Sequence, residues 1–218
     1  MLSKELRECG LYAGLALLAI THFIGAGMDL PLVPFLNHGR NGEIPFLTAY
    51  NVDREKTFLL IAVIAAIVLG MHQTVWESWR QTTLFLLHRP MPRSQIIAAK
   101  LVAGSLLLTA ITSVPLAVYC LWAAAPGTHA SPFFWAMTET WWRGILVALV
   151  CYLGAFLSGI RAAHWLGSRT WPALATLIMA VGLGNAPVWP PLIYAGLLVL
   201  GACLIVLILE TARFREFP

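Results

Sequence analysis

The sequence predicts an all-α, polytopic membrane protein of six transmembrane helices with the N- and C-termini in the cytoplasm. Apolar residues fill 59% of its 218 positions, charged residues only 11%, and the apolar ones come in long runs. A soluble domain carries roughly 25% charged residues, so polar surface is too scarce here to coat a globule of this size. The mean hydropathy, +0.78, points the same way. Residues 1–218 read as a single transmembrane domain.

A helix needs about 20 apolar residues to cross the hydrocarbon core. The first run is Leu11 to about Leu36. Lys4, Arg7 and a later Gly25-Ala26-Gly27 imitate a signal peptide with its cleavage site. The apolar run continues past that site, so the segment is read as a retained helix. The next spans are Thr57–Val75, Ile96–Ala124 and Trp142–Ile160. The fifth, Trp171 to about Leu183, is interrupted by Gly182, Gly184, Pro187 and Pro190, and fits either a short helix or a re-entrant turn. Pro191–Leu209 is the sixth.

Lysine and arginine in short loops orient such a chain. Six spans put ten of them on one face: Lys4, Arg7, Arg80, Arg89, Arg93, Lys100, Arg161, Arg169, Arg213 and Arg215. Only Arg40, Arg54, Lys56 and Arg143 fall on the other, mixed with Glu43, Asp53, Glu55 and Glu139. The richer face is the cytoplasmic one, and the net charge of +4 reflects orientation rather than nucleic-acid binding. Trp76, Trp79, Trp141, Trp142, Trp165, Trp171 and Trp189 sit at span ends, as headgroup-level anchors do.

Few chemistries have their equipment here. None of the three lysines (Lys4, Lys56, Lys100) ends a P-loop, and no His-Glu-x-x-His is present. Ser158 lacks the preceding glycine of a nucleophile elbow. Cys9, Cys120, Cys151 and Cys203 form no Cys-x-x-Cys pair, so neither a metal site nor a disulfide framework is expected. His22 and His72 lie at membrane depth but differ by roughly 10 Å at about 1.5 Å rise per residue, an awkward pair of axial haem ligands. His164 is the remaining candidate for a haem or redox reading. Asp29 is either an intramembrane functional carboxylate or a residue already at the outer interface before Pro31 and Pro34. Gly10 and Gly14 suit close helix packing, in a dimer seam or within one bundle.

The connection between the second and third spans carries the densest signal. In WESWRQTTLFLLHRPMPRSQIIAAK, Trp76, Trp79, Thr83 and Leu86/Leu87 form one mostly apolar helical stripe. Glu77, Arg80, Gln81 and His88 lie on the other faces, as in an amphipathic helix lying in the interface. Pro90 and Pro92 stop it, Ser94 is placed to cap the third span, and Lys100 to snorkel to the headgroups. The result is a stiff hairpin exposing Glu77, Arg80, His88, Arg89 and Arg93.

These residues resemble the permeases (membrane subunits) of ABC-2 type ABC transporters, mostly exporters. Those have six helices with both ends inside and a glutamate closing the second. An interfacial helix then ends in Leu-Leu-x-x-Pro-x-x-Arg…Lys, matched here by Glu77, Leu86-Leu87, Pro90, Arg93 and Lys100. The likeness is sharpest over residues 72–104 and topological elsewhere. It implies that Trp76, Glu77, Arg80, Gln81, His88, Arg89, Pro90 and Arg93 dock on a separate ATPase subunit, which holds the ATP and magnesium. It implies a second permease copy, identical or paralogous, and a path lined by the first, second and fifth spans, with His22, Asp29 and His72 as lining candidates. No cofactor, catalytic residue or nucleic-acid partner is expected in this chain. The chain departs from the family in its reduced N-terminal interfacial helix (residues 1–10), its short last outer loop and its polar loop 37–56. A non-transporting membrane scaffold is the competing class.

Overall fold

The computed structural model describes residues 2–25, 52–79, 93–125, 133–161 and 170–214. Its helices are α1 (Leu2–Gly25), α2 (Val52–Trp79), α3 (Arg93–Ala124), α4 (Glu139–Ile160), α5 (Trp171–Gly184) and α6 (Pro190–Phe214), with a 3-10 turn at Trp135–Thr138 leading into α4. No strand occurs among the described residues. Among the described residues four segments are long and apolar enough to cross a membrane: Arg54–Val75, Gln95–Ala124, Trp135–Ile160 and Pro190–Arg213. Cys9–Gly25 and Trp171–Gly184 are shorter apolar helices.

The apolar helices therefore support an integral membrane protein, with four of the six expected spans full-length among the described residues. α5 has 14 residues, about 21 Å at helical rise, against a hydrocarbon core of about 30 Å. The first span was expected to begin at Leu11, but its helix begins at Leu2, because Lys4, Glu5 and Arg7 are good helix formers even where they are too polar for lipid. The last residues expected of it, 26–36, lie outside the described segments. α2 likewise continues through Trp79. Trp76 to Trp79 thus prolong the second helix rather than open a separate interfacial one. α3 starts at Arg93, so Ser94, expected to cap it, lies inside its first turn.

Successive helices alternate in direction. Tyr12, early in α1, stacks on His72, late in α2; Gly104, early in α3, meets Gln73, late in α2. Ser158 at the end of α4 meets Ala173 at the start of α5, and Gly196 of α6 meets Leu183 of α5. One end of the bundle therefore carries the start of α1, the junction between α2 and α3, and the end of α6. The other carries Glu55, Glu139 and Tyr194.

α4 occupies the middle. Every residue from Val150 to Ile160 is buried, because α2, α3, α5 and α6 pack around it. Its apolar window is 83% buried, against 28% for that of α6, so α4 is the axis of the bundle and α6 part of its wall. Small residues allow this. A Cβ on Gly70 of α2 would stand 2.8 Å from the Tyr152 carbonyl oxygen, and one on Gly159 would overlap the Thr74 hydroxyl. Backbones in such contact gain dispersion that lipid tails cannot match. The outward stripes, such as Leu60, Ile64 and Val68 of α2 and Val102, Leu106, Val114 and Val118 of α3, repeat at helical spacing and suit lipid.

Hydroxyls within the spans are satisfied locally, as a dry environment requires. Ser105, Thr109 and Thr112 of α3 donate to the carbonyls four residues earlier, just before Pro115, which removes one donor from the same helix. Ser158 acts between helices: its Oγ accepts the Ala173 N–H at 2.9 Å and satisfies one of the donors orphaned at the start of α5. Ser158→Ala should cost about 1 kcal/mol, read as an earlier midpoint in SDS-induced unfolding.

Candidate functional site

The hairpin singled out by sequence lies mostly outside the described residues. Arg80, Gln81, His88, Arg89 and Pro90 are not described, nor is Asp29. Trp76 and Glu77 belong to the last turn of α2, and Arg93 opens α3. The two helix ends that flank the hairpin are thus placed, and close to them Gly104 of α3 meets Gln73 of α2 and Gly159 of α4 meets Thr74 of α2.

Just inside those ends the bundle holds a layer of polar side chains. Gln73 of α2 is 4% exposed, Lys100 of α3 is 4% exposed, and Tyr152 of α4 is fully buried. The Tyr152 hydroxyl donates to Gln73 Oε1 at 2.6 Å and lies 3.5 Å from the Leu101 carbonyl oxygen of α3. Gly104 makes the room: a Cβ there would overlap the tyrosine hydroxyl and stand 2.5 Å from Gln73 Oε1. Three helices thus meet at one hydrogen bond over one missing side chain. In membrane proteins such a cross-helix bond contributes on average about 0.6 kcal/mol.

Lys100 was expected to reach the headgroups. Instead its side chain is buried and its Nζ enclosed. His72 adds to the layer from the α1 side, its ring 4.4 Å from that of Tyr12 and tilted by 47°.

His22 is elsewhere. It lies ten residues beyond Tyr12 on α1, about 15 Å along the helix, with a buried Nδ1 that has no hydrogen-bond partner among the described residues. The two histidines are therefore not brought together. Gly10 and Gly14 face outward: a Cβ on either meets no described atom within 4 Å.

At the opposite end Arg143 of α4 stands 3.9 Å from both Glu55 of α2 and Glu139 of α4. The Tyr194 hydroxyl of α6 donates to Glu139 Oε1 at 3.1 Å. These groups clamp three helix ends beside a small open cleft lined by Phe58, Leu59, Gly144 and Asn185. Sequence reasoning placed the charges on one face but missed the links from Arg143 to Glu55 and from Glu139 to Tyr194, since nothing local joins positions so far apart. It missed the Gln73–Tyr152 bond for the same reason. An isolated Gln among apolar residues near a span end was the one available signal.

Among the described residues no three metal-binding side chains converge. Compared with protein families, with curated proteins and with solved structures, the chain matches none.

Proposed function

We propose that the chain is the membrane-spanning subunit of an ABC transporter, an exporter in the cytoplasmic membrane of a prokaryote, driven by a separate ATPase subunit. The observation that carries this reading is the succession Glu77, Leu86-Leu87, Pro90, Arg93, Lys100 between two apolar helices. These 218 residues hold no P-loop, so energy for transport comes from a partner, and the hairpin is where the partner pushes. The alternating helix directions support it, because the start of α1, the α2–α3 junction and the end of α6 share one end of the bundle, the cytoplasmic one in this reading.

The filled axis of the bundle adds a constraint. With α4 buried from Val150 to Ile160, the described helices of a single copy leave little room for cargo along their centre. The path then runs along the outside of the bundle, closed by a second permease copy, identical or paralogous. The walls of that path are mostly apolar, which favours an amphipathic or lipid-like cargo.

The test is gentle-detergent purification of the tagged chain followed by an ATP-hydrolysis assay, with and without the pair Glu77→Lys and Arg93→Glu. The expected result is a co-purified ATPase whose retention or activity falls at least about tenfold with the double reversal, the scale of losing a desolvated charged contact. A chain that brings down no nucleotide-binding protein defeats this reading. The absorption spectrum of that sample then separates a haem protein, by its Soret band, from a scaffold.

A further inference from the structure

Two of the three helices that meet at the Tyr152–Gln73 bond are those flanking the proposed coupling hairpin. α2 leaves the bundle six residues after Gln73, and α3 enters it eleven residues before Gly104. The third helix is the buried axis, α4. α2 and α4 are already held together by direct backbone contact at Gly70, so they move as one piece. What α3 meets at Gly104 is side chain: the Tyr152 hydroxyl and Gln73 Oε1. Its first half lies over the tyrosine hydroxyl through a glycine, and Pro115 further along interrupts the hydrogen-bond ladder that would otherwise stiffen it.

We infer that Gln73, Tyr152 and Gly104 form a latch that holds the first half of α3 against the α2–α4 pair, and that displacement of the hairpin opens it. This rests on the coupling reading above and deepens it by naming the element that the hairpin works. The three are positioning residues and touch no cargo. Phenylalanine at position 152 would fill the same space and keep the ring contact with Phe156. The hydroxyl therefore sets which of two packings is preferred more than it sets stability. When the latch opens, α3 pivots near Pro115 and uncovers the crevice that holds Lys100 and Gln73, polar groups sealed in the closed form.

The experiment places spin labels at Gln95 and Arg161, both exposed, at the start of α3 and the end of α4. Cys203 is first replaced by serine, since Cys9, Cys120 and Cys151 are buried and Cys203 is exposed. The wild-type complex is measured without nucleotide and after trapping with ATP and vanadate, and again carrying Tyr152→Phe, Gln73→Leu or both. The expected result is a wild-type distance that lengthens on trapping. Each variant should populate the longer distance without nucleotide, raising that fraction about threefold, the scale of one such bond. The double variant should add nothing, because both changes remove one bond. Variants that keep the wild-type resting distance, whatever happens to their thermal stability, overturn the latch and leave the transporter reading standing. A wild-type chain that brings down no ATPase, or whose distance ignores ATP and vanadate, removes the transporter reading and the latch with it.

Discussion

Gly70→Leu should abolish folding of the bundle. A Cβ at that position would lie 2.8 Å from the Tyr152 carbonyl oxygen and 3.1 Å from the Phe156 nitrogen. Both are backbone atoms of a helix hemmed in on every side, so no rotamer change relieves the collision. Overpacking a tight core costs typically about 1–3 kcal/mol where side chains can yield. Here the helices themselves must part, and α2 loses its contact along α4. The expected outcome is loss of the monodisperse peak in detergent and degradation in the membrane. Gly10→Leu, on the open face of α1, should purify like the wild type. If Gly70→Leu also purified with an unchanged SDS midpoint, the close approach of α2 and α4 would be wrong.

The second large effect concerns the packing of α4. Phe156 is completely buried in a hydrophobic core to which all six helices contribute, and Phe156→Ala should destabilise the bundle by about 3 kcal/mol. In a soluble protein, part of such a loss reflects transfer of the ring from water. Little of that applies in a bilayer, where the unpacked ring meets lipid, so most of the expected loss is dispersion across the void. Leu198→Ala supplies the contrast. Leu198 is 62% exposed on α6, and its truncation should shift the SDS midpoint by less than about 0.5 kcal/mol. Equal shifts for the two would mean that α4 is not the axis.

That contrast also shows where the sequence was legible. Apolar run lengths located the six described α-helices, because the bilayer demands continuous apolar stretches and little else in a chain produces them. The ends were misjudged at Leu2 and Trp79 because hydropathy reports where lipid stops, whereas helices continue into the polar boundary. The inside of the bundle was hidden for a deeper reason. In water the most apolar segment belongs in the core. In lipid it is indifferent, and α6, the most apolar of the four long spans, turned out to be among the least buried. Small residues were the better guide: Gly154 and Gly159 mark α4 as the helix others approach. The Gln73–Tyr152 bond joins positions 79 residues apart, and no local pattern announces a partner at that distance. The charged hairpin is a reading of the sequence alone, since residues 80–92 lie outside those described.

The central place of α4 also bears on the order in which the protein is made. α4 leaves the ribosome before α5 and α6, yet those two cover much of its surface. A nascent chain ending soon after Ile160 would present the small-residue face around Gly154 to lipid, with Ser158 lacking the backbone group it caps. A chain stopped short of α5 and α6 is thus an incomplete shell with an uncovered axis.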